Sequence, residues 1–184
     1  MEDLNRASET LATNEKSAVK VVHLPPMTVA SAHYLSDNPD IIVKIEGTKA
    51  VIKKFITDVD LYEIKPDFRY FGFANSREGQ WVYEIMVSIP DDLDVLNPLI
   101  KSIYPGGLFA SYTCDGPDMG EWKVLHNWAN NSDDYAFDAH GGPALEEVFN
   151  PYNIYGMKNS DAQKAEKVGF AYFNFLLPIK EIDK

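Results

Sequence analysis

The sequence predicts an α+β fold of duplicated β-α-β-β units, with a mixed, mainly antiparallel sheet, two helices on one face and a cleft at the pseudo-twofold seam. Three observations predict it: strand patterns occur in both halves, each half carries one segment of helical periodicity, and the halves share a weak repeat. The clearest repeated pair is YEIMVSIP at 83–90 and YFNFLLP at 172–178. We therefore expect one packed domain with two related halves.

Two strand patterns open the first half, at 19–24 and at 27–35, and both are rich in β-branched and apolar residues. Pro25 and Pro26 separate them, because proline lacks the N–H that a continuous strand needs. We expect the two strands to pair with each other as a hairpin or a bulged pair.

A helix and a hairpin follow in the first half. Polar residues at 36–39 supply capping and first-turn chemistry, and core-type residues then recur at helical spacing, namely Ile41, Ile45, Thr48, Ile52, Phe55 and Val59. Two more strand patterns, at 68–76 and 81–89, surround a turn at 77–80. This arrangement is typical of a β-hairpin.

The second half repeats this order. A glycine pair at 106–107 leads into a strand pattern at 107–114, because glycine tolerates the positive φ of a tight entry turn. A helical pattern comes next, carried by Met119, Trp122, Leu125 and Ala129. Strand patterns at 144–150 and 169–179 end the half, so the order of elements predicts a second copy of the unit.

The domain boundaries follow from composition. We expect the polar stretch 1–18 to be disordered and one domain to cover 19–184, with repeats at about 19–90 and 100–180. A second polar stretch, at 151–168, is expected to form a loop that can close over the cleft.

Charge and cysteine content limit the partners. The chain of 184 residues has a formal net charge of -11, which repels phosphates and anionic lipid head groups, so we expect no direct nucleic-acid binding and no membrane binding. The acidity fits a cationic ligand or a basic protein partner, and surface charge for solubility explains it equally well. The single Cys114 forms no internal disulfide, and the first residues lack an apolar signal core, which indicates a cytoplasmic protein.

The residue types of catalytic and metal sites lack the spacing that such sites require. The four histidines form no His-x-x-x-His or His-Glu-x-x-His pattern, so we expect no metal and no cofactor. No glycine-rich loop follows a strand as a phosphate site requires, and Cys114 has no assignable catalytic partner. The sequence therefore indicates no catalytic residue.

The run YPGGLFASYTCDGPDMGEWKVLHNWANNS at 104–132 resembles the signature of the GyrI-like effector-binding domains. In that family a proline-glycine turn opens a strand and leads into a helix with a tryptophan near its end. The resemblance continues at VKVVHLPPMTVASAHYL (19–35), EEVFNPYN (146–153) and FLLPI (175–179), in the order of the family. It covers about 19–180, which is nearly the whole chain.

The resemblance implies a stand-alone form of the drug-sensing domain of multidrug-responsive transcription regulators. Such domains bind cationic, amphipathic molecules in an aromatic cleft that contains a buried glutamate in a Glu-x-aromatic pattern. Here the pattern is Glu147-Val148-Phe149, with Phe149 in place of the more usual tyrosine. A register one residue earlier selects Glu146. The implied partner is a small, cationic and aromatic ligand, and any transcriptional role runs through a partner protein or a fused domain.

Strand alternation supports a buried carboxylate independently of the resemblance. Glu146 and Glu147 point to opposite faces of their strand, so one of them is buried unless the strand is an edge strand. No lysine or arginine occurs between Lys123 and Lys158, so a ligand cation can supply the missing charge. The alternative is that both glutamates are solvated near a strand edge.

Aromatic side chains complete the predicted site. We expect the ligand to contact Tyr70, Trp81, Tyr112 and Tyr172, because each aromatic face attracts a cation by about 0.5–2 kcal/mol. Glu84 is not predicted to belong to the ligand site, since strand alternation places it on the face opposite Trp81 and Tyr83.

Two other functions stay open beside the binding of a small effector. One is a GyrI-like hydrolase of a reactive small molecule, in which the buried glutamate orients or deprotonates a water. The other is a gyrase-inhibitor-like module that binds a basic protein. We expect a binding protein rather than an enzyme.

Overall fold

Nine strands and three helices form the described part of the chain, which in this computed structural model comprises residues 18–38, 40–77, 79–115, 120–149 and 172–182. In chain order the elements are β1 (Lys20–Leu24), β2 (Met27–His33), α1 (Ile41–Asp58), α2 (Leu61–Ile64), β3 (Tyr70–Arg77), β4 (Gln80–Ser88), β5 (Ile100–Tyr104), β6 (Gly107–Asp115), α3 (Glu121–Asn130), β7 (Tyr135–Phe137), β8 (Leu145–Val148) and β9 (Tyr172–Glu181). Within these residues no helix combines the length and the apolar character needed to cross a bilayer.

The order of strands in the sheet follows the predicted duplication. Eight strands lie in the order β1-β6-β9-β8-β3-β4-β2-β5, and β7 pairs with β9 beside this path. Read from its two ends, the order matches β1 with β5, β6 with β2, β9 with β4 and β8 with β3. The seam is the β3–β8 pair, where Phe71 lies opposite Glu147. Each pairing among the described strands is antiparallel, and the α+β class is confirmed.

Two short connections show that the sheet is strongly curled. β1 and β2 lie near opposite ends of the strand order, yet only Pro25 and Pro26 join them, and Pro105 and Gly106 join β5 and β6 in the same way. Two residues span only about 7 Å, so the ends of the sheet approach each other. One apolar cluster therefore takes residues from all eight strands: Leu24, Val29, Phe71, Phe73, Met86, Tyr104, Phe109, Leu145 and Leu176. We call the face that carries this cluster the concave face.

Glycine is required where the two connections meet. Gly106 has φ of 74°, and a Cβ at this position would fall well inside contact distance of the Leu24 carbonyl oxygen. A side chain here would meet both backbone strain and backbone atoms. The predicted positive φ of the glycine pair is confirmed, since Gly107 has φ of 150°.

The helices cover the opposite, convex face. α1 buries Ile52 and Phe55 over the first half of the sheet, and α3 buries Leu125 and Ala129 over the second. Two separate apolar clusters result, one beneath each helix, in addition to the cluster on the concave face. The concave face carries no helix among the described residues.

The first turn of α1 lies at the edge of the sheet rather than over it. The Asp40 side chain caps the helix by accepting a hydrogen bond from the Ile42 N–H at 2.9 Å. Lys44 donates from Nζ to the Trp81 carbonyl at 3.1 Å, close to the start of β4. Ile41 is consequently 48% exposed, although its position in the helical pattern predicted a core residue.

Two predictions of local structure are wrong. β1 and β2 do not form a hairpin, because the Pro25-Pro26 connection is extended and lacks N–H donors for a turn, so β1 pairs with β6 and β2 with β4 and β5. The glycine pair opens the second strand of its half rather than the first, since β5 precedes it. β5, β7 and α2 had no clear sequence pattern because all three are short.

Several predictions fall on residues outside those that the structure describes. These are the segment at 1–17, the whole of the predicted loop at 151–168 with the chain up to 171, and the side chain of Tyr172. The predicted hairpin at 68–76 and 81–89 is confirmed, as β3 and β4 pair from Tyr70 to Arg77.

Candidate functional site

A buried carboxylate lies at the seam on the concave face. Glu147 is 4% exposed and accepts a hydrogen bond at Oε1 from Nε of Arg69, at 2.6 Å. Its Oε2 accepts from the Asn174 amide at 3.3 Å, and Ser111 donates in turn to Asn174 at 2.7 Å. Glu147, Arg69 and Asn174 form what we call the Glu147 centre.

Arg69 also stacks on an aromatic ring. Its guanidinium carbon lies 4.9 Å from the centroid of Phe71, whose backbone lies opposite Glu147 across the seam. A cation is thus held between a buried carboxylate and a phenylalanine face, which is a favourable place for a positive charge. The side chain of Arg69 is 31% exposed, so the cation keeps access to solvent while the carboxylate does not.

A second buried carboxylate lies on the same face in the first half. Glu84 is 3% exposed and forms a two-pronged ion pair with Arg77, with Nε 3.0 Å from Oε2 and Nη2 2.9 Å from Oε1. The Asn75 amide donates to Oε2 at 2.9 Å. Glu84, Arg77 and Asn75 form the Glu84 centre.

Each half of the sheet contributes one of these acids to the concave face. Glu84 lies opposite Phe73 in the β3–β4 pair, and Glu147 lies opposite Asn174 in the β8–β9 pair. One acid therefore lies on β4 and the other on β8, strands that do not correspond to each other in the duplicated order. From the strand spacing the two acidic residues are roughly 12 Å apart between Cα atoms.

A cavity of about 470 Å³ opens at the Glu84 centre. Its polar lining includes Glu84, Arg77 and Asn75, and most of its other walls are apolar, among them Phe73, Met86, Ile103, Tyr104 and Pro143. A cavity of this size matches the volume of small-molecule sites. It lies mainly in the first half rather than across the seam, where the sequence predicted the cleft.

Tyr104 is a wall residue of the cavity whose pKa is affected by Arg69 of the Glu147 centre. It lines the cavity, but its hydroxyl is fully buried and has no hydrogen-bond partner among the described residues. Burial raises the pKa of Tyr104 to about 12, and the positive charge of Arg69 opposes part of this rise. Tyr104 therefore belongs to the cavity wall and is also within the influence of the Arg69 charge.

A third carboxylate, Glu146, lies on the convex face. It accepts a hydrogen bond from the Tyr83 hydroxyl at 2.5 Å. Tyr83 reaches it across Gly72, where a Cβ would overlap the tyrosine ring and hydroxyl. Desolvation raises the pKa of Glu146, and the Tyr83 hydrogen bond and the charge of Lys49 oppose this rise.

The structure places three of the predicted aromatic residues, Tyr70, Trp81 and Tyr112, away from Glu147. Tyr70 is 3% exposed in the cluster beneath α1, and Tyr112 packs in the cluster beneath α3, so both lie on the convex face. Trp81 is 38% exposed at the edge of the sheet near the start of α1. Phe149 follows β8 directly and is 41% exposed, two residues from Glu147.

Two residues of the concave face were missed in the sequence. Arg69 pairs with Glu147 although the two residues lie 78 positions apart in the sequence. The sequence near Glu147 does lack a basic residue, as predicted, but the partner comes from a distant part of the chain. Strand alternation correctly places Glu84 opposite Trp81 and Tyr83, but the ligand was predicted on the face of those aromatic residues and not on the face of Glu84. The Phe-x-Phe alternation at 71–73 was the available signal for an apolar concave face.

The described residues contain no cluster of three or more histidine, cysteine, aspartate or glutamate side chains that could hold a metal ion. The acidic residues of the concave face are paired with arginine and amide groups instead. What this face offers is charge, hydrogen bonding and an apolar surface.

Comparison with known proteins gives one family. The model of the Cass2 family, the integron-associated effector binding proteins, matches residues 20–179. Comparison with curated protein sequences gives no match.

Solved structures share the fold. The C-terminal domain of EcmrR has a TM-score of 0.56 at 12% identity, over 89% of this chain and 98% of that domain. SAV2435 bound to tetraphenylphosphonium has a TM-score of 0.54 at 9% identity, over 88% of this chain and 93% of that one. A hydrolase from Listeria innocua also has a TM-score of 0.54, at 12% identity over 88% of this chain and 91% of its own.

A longer protein, EcmrR, contains the same fold as one part. EcmrR in its complex with DNA has a TM-score of 0.64 at 14% identity, and 97% of this chain covers 65% of the EcmrR chain. The chain therefore spans about two thirds of the EcmrR chain, and at these identities the likeness is one of fold.

Proposed function

Because this chain belongs to the integron-associated effector binding proteins, the Cass2 family, we propose that it binds cationic, aromatic small molecules on its concave face. In this proposal Glu147 supplies the counter-charge for the ligand and Phe149 supplies an exposed aromatic contact beside it. The family is one of effector-binding domains, so small-molecule binding follows from membership. The charge and the location of the ligand are the proposed part.

One observation carries the proposal: the guanidinium of Arg69 is itself a cation, and it lies where the ligand cation would lie. Its guanidinium lies between the Glu147 carboxylate and the Phe71 ring. An aromatic cation would meet the same two partners and would bury more apolar surface than an arginine does.

The arginine can be replaced without unfolding the site. Arg69 contacts Glu147 through a single N–H group, and its side chain is 31% exposed. On release the guanidinium returns to water, where it is fully solvated, and the ligand cation keeps the buried carboxylate neutralised. Exchange of one cation for another avoids an unpaired buried charge, which would be costly.

Related folds support a cationic ligand. SAV2435 was solved with tetraphenylphosphonium, a bulky aromatic cation, on the same fold. The net charge of -11 favours the approach of such ions at low ionic strength. A part in transcription, as in EcmrR with DNA, would require a partner or a further domain, because this acidic chain repels DNA.

Binding is favoured over hydrolysis by the contacts of Glu147. Both of its carboxylate oxygens accept hydrogen bonds from protein side chains, Oε1 from Arg69 and Oε2 from Asn174. A general base needs a carboxylate oxygen directed at a water beside the substrate. The hydrogen bonds of this carboxylate suit a counter-ion better.

Titration with tetraphenylphosphonium chloride tests the proposal. We expect Glu147→Gln to weaken binding at least about 10-fold, because the amide keeps the shape and loses the charge. Glu146→Gln is the matched control: the same substitution one residue away on the opposite face should change the affinity less than about 2-fold. If Glu147→Gln binds as tightly as the unmodified protein, the concave site is wrong.

A further inference from the structure

The cavity at the Glu84 centre differs in chemistry from the Glu147 centre. We propose that this cavity is a second, separate binding site, which takes neutral, largely apolar molecules that carry a hydrogen-bond acceptor such as a ketone. The proposal concerns another set of residues and does not depend on a cation binding at Glu147.

The Glu84 carboxylate is saturated, so the cavity has no free negative charge to offer. Its oxygens accept three contacts from Arg77 and one from the Asn75 amide. A ligand cation would have to break a two-pronged arginine pair, which is much stronger than the single contact at Glu147. A free anion is disfavoured by the net charge of the chain and by Glu84 itself.

Arg77 keeps donors for a neutral acceptor. It binds Glu84 through Nε and Nη2, and Nη1 has no hydrogen-bond partner among the described residues. The side chain is 41% exposed and lines the cavity. A guanidinium has five N–H donors in a fixed plane, so a carbonyl oxygen in the cavity can accept from Nη1 while the Glu84 pair stays intact.

The walls select an apolar body for the ligand. Phe73, Met86, Tyr104 and Pro143 line an open cavity of about 470 Å³, which is large enough for a bicyclic aromatic molecule. The hydroxyl of Ser31 and the exposed side chain of Ser102 add two small polar groups to the lining. This combination of apolar walls with a few fixed polar groups is typical of small-molecule sites.

Prodan, a neutral naphthyl ketone whose emission shifts to the blue in apolar surroundings, is the probe for this site. We expect saturable binding by the full chain with a blue shift, and at least 10-fold weaker binding of 2-dimethylaminonaphthalene, which has the same rings without the ketone. We also expect saturating tetraphenylphosphonium to leave the affinity for Prodan within about 2-fold.

Ser102→Trp locates the probe. Ser102 is an exposed residue of β5 at the cavity, so a tryptophan there fills the space without disturbing the buried pair, and Prodan affinity should fall at least about 10-fold. Thr113→Trp, at an exposed position of β6 outside the cavity, should leave it unchanged. Equal binding by Ser102→Trp and the unmodified protein, or full competition by tetraphenylphosphonium, would overturn the proposal.

Discussion

At the scale of single residues, the counter-ion decides what each buried carboxylate can bind. Each acid accepts one hydrogen bond from an amide, but Glu147 receives a single N–H from Arg69, whereas Glu84 receives a two-pronged contact from Arg77. Two acids with nearly equal burial therefore differ in how readily their partner exchanges. The exposed fractions of the two side chains, 5% and 4%, do not reveal this difference.

The face of each acid was predictable from the sequence, but its partner was not. Alternation correctly separated Glu146 from Glu147, because a strand places neighbours on opposite faces. The partner of each acid lies on another element, and pairing between elements follows from the tertiary fold. Arg69 was visible in the sequence, but nothing near it pointed to a residue 78 positions away.

Glu146 gives a prediction of pH dependence. Its pKa is raised above the value of 4.5, mainly by desolvation, so the folded protein binds this proton more tightly than the unfolded chain does. The resulting stability is fully present below about pH 4.5 and is lost as the pH rises through the raised pKa. Glu146→Gln, which mimics the protonated acid, should therefore gain stability relative to the unmodified protein as the pH rises from 4 to 7.

Urea unfolding at several pH values measures this effect. The exposed Glu63→Gln on α2 is the control and should show no comparable trend with pH. A stability difference for Glu146→Gln that stays constant, or that shrinks toward neutral pH, would contradict the desolvated environment of this acid.

At the scale of the elements, Gly106 allows the two short connections to pass close to each other, and this close approach brings the ends of the sheet together. Gly106 and Gly79 both have positive φ, of 74° and 76°, but their surroundings differ. A Cβ on Gly106 would meet the Leu24–Pro25 backbone, whereas a Cβ on Gly79 has nothing within 4 Å. A side chain at Gly79 therefore adds backbone strain alone, whereas a side chain at Gly106 adds backbone strain and steric overlap.

We expect Gly79→Ala to lower the free energy of unfolding by about 1 kcal/mol, which is the cost of a left-handed backbone alone. Gly106→Ala should lower it by about 3 kcal/mol or more, because backbone atoms at the crossing must also move. Chemical unfolding of the two variants measures both values. Equal losses would mean that the connections do not abut at Gly106.

The elements were predictable where their pattern is long. Helix α1 and the β3–β4 hairpin were found from 3.6-residue and two-residue periodicity. Strand β5 was missed because five residues, four of them exposed at the sheet edge, carry no apolar alternation. The partner of β1 was also missed, since pairing across the curl depends on the path of the whole chain.

At the scale of the whole molecule, the two halves of the sheet each place one buried acid on the concave face, and the two acids differ in their arginine contacts. The strand order repeats from either end, and each hairpin contributes one acid to the concave face. The weak repeat in the sequence was sufficient to predict this duplication. It gave no indication that the apolar cluster of all eight strands would leave its cavity beside Glu84 instead of at the seam.

The central claim is that a ligand cation replaces Arg69 on Glu147, and calorimetric titration of tetraphenylphosphonium into Arg69→Gln tests it most directly. The glutamine keeps a donor for Glu147 and removes the competing charge, so the affinity should rise about 10-fold above that of the unmodified protein. Unchanged or weaker binding by Arg69→Gln would contradict the claim, because it would show that Arg69 does not compete with the ligand.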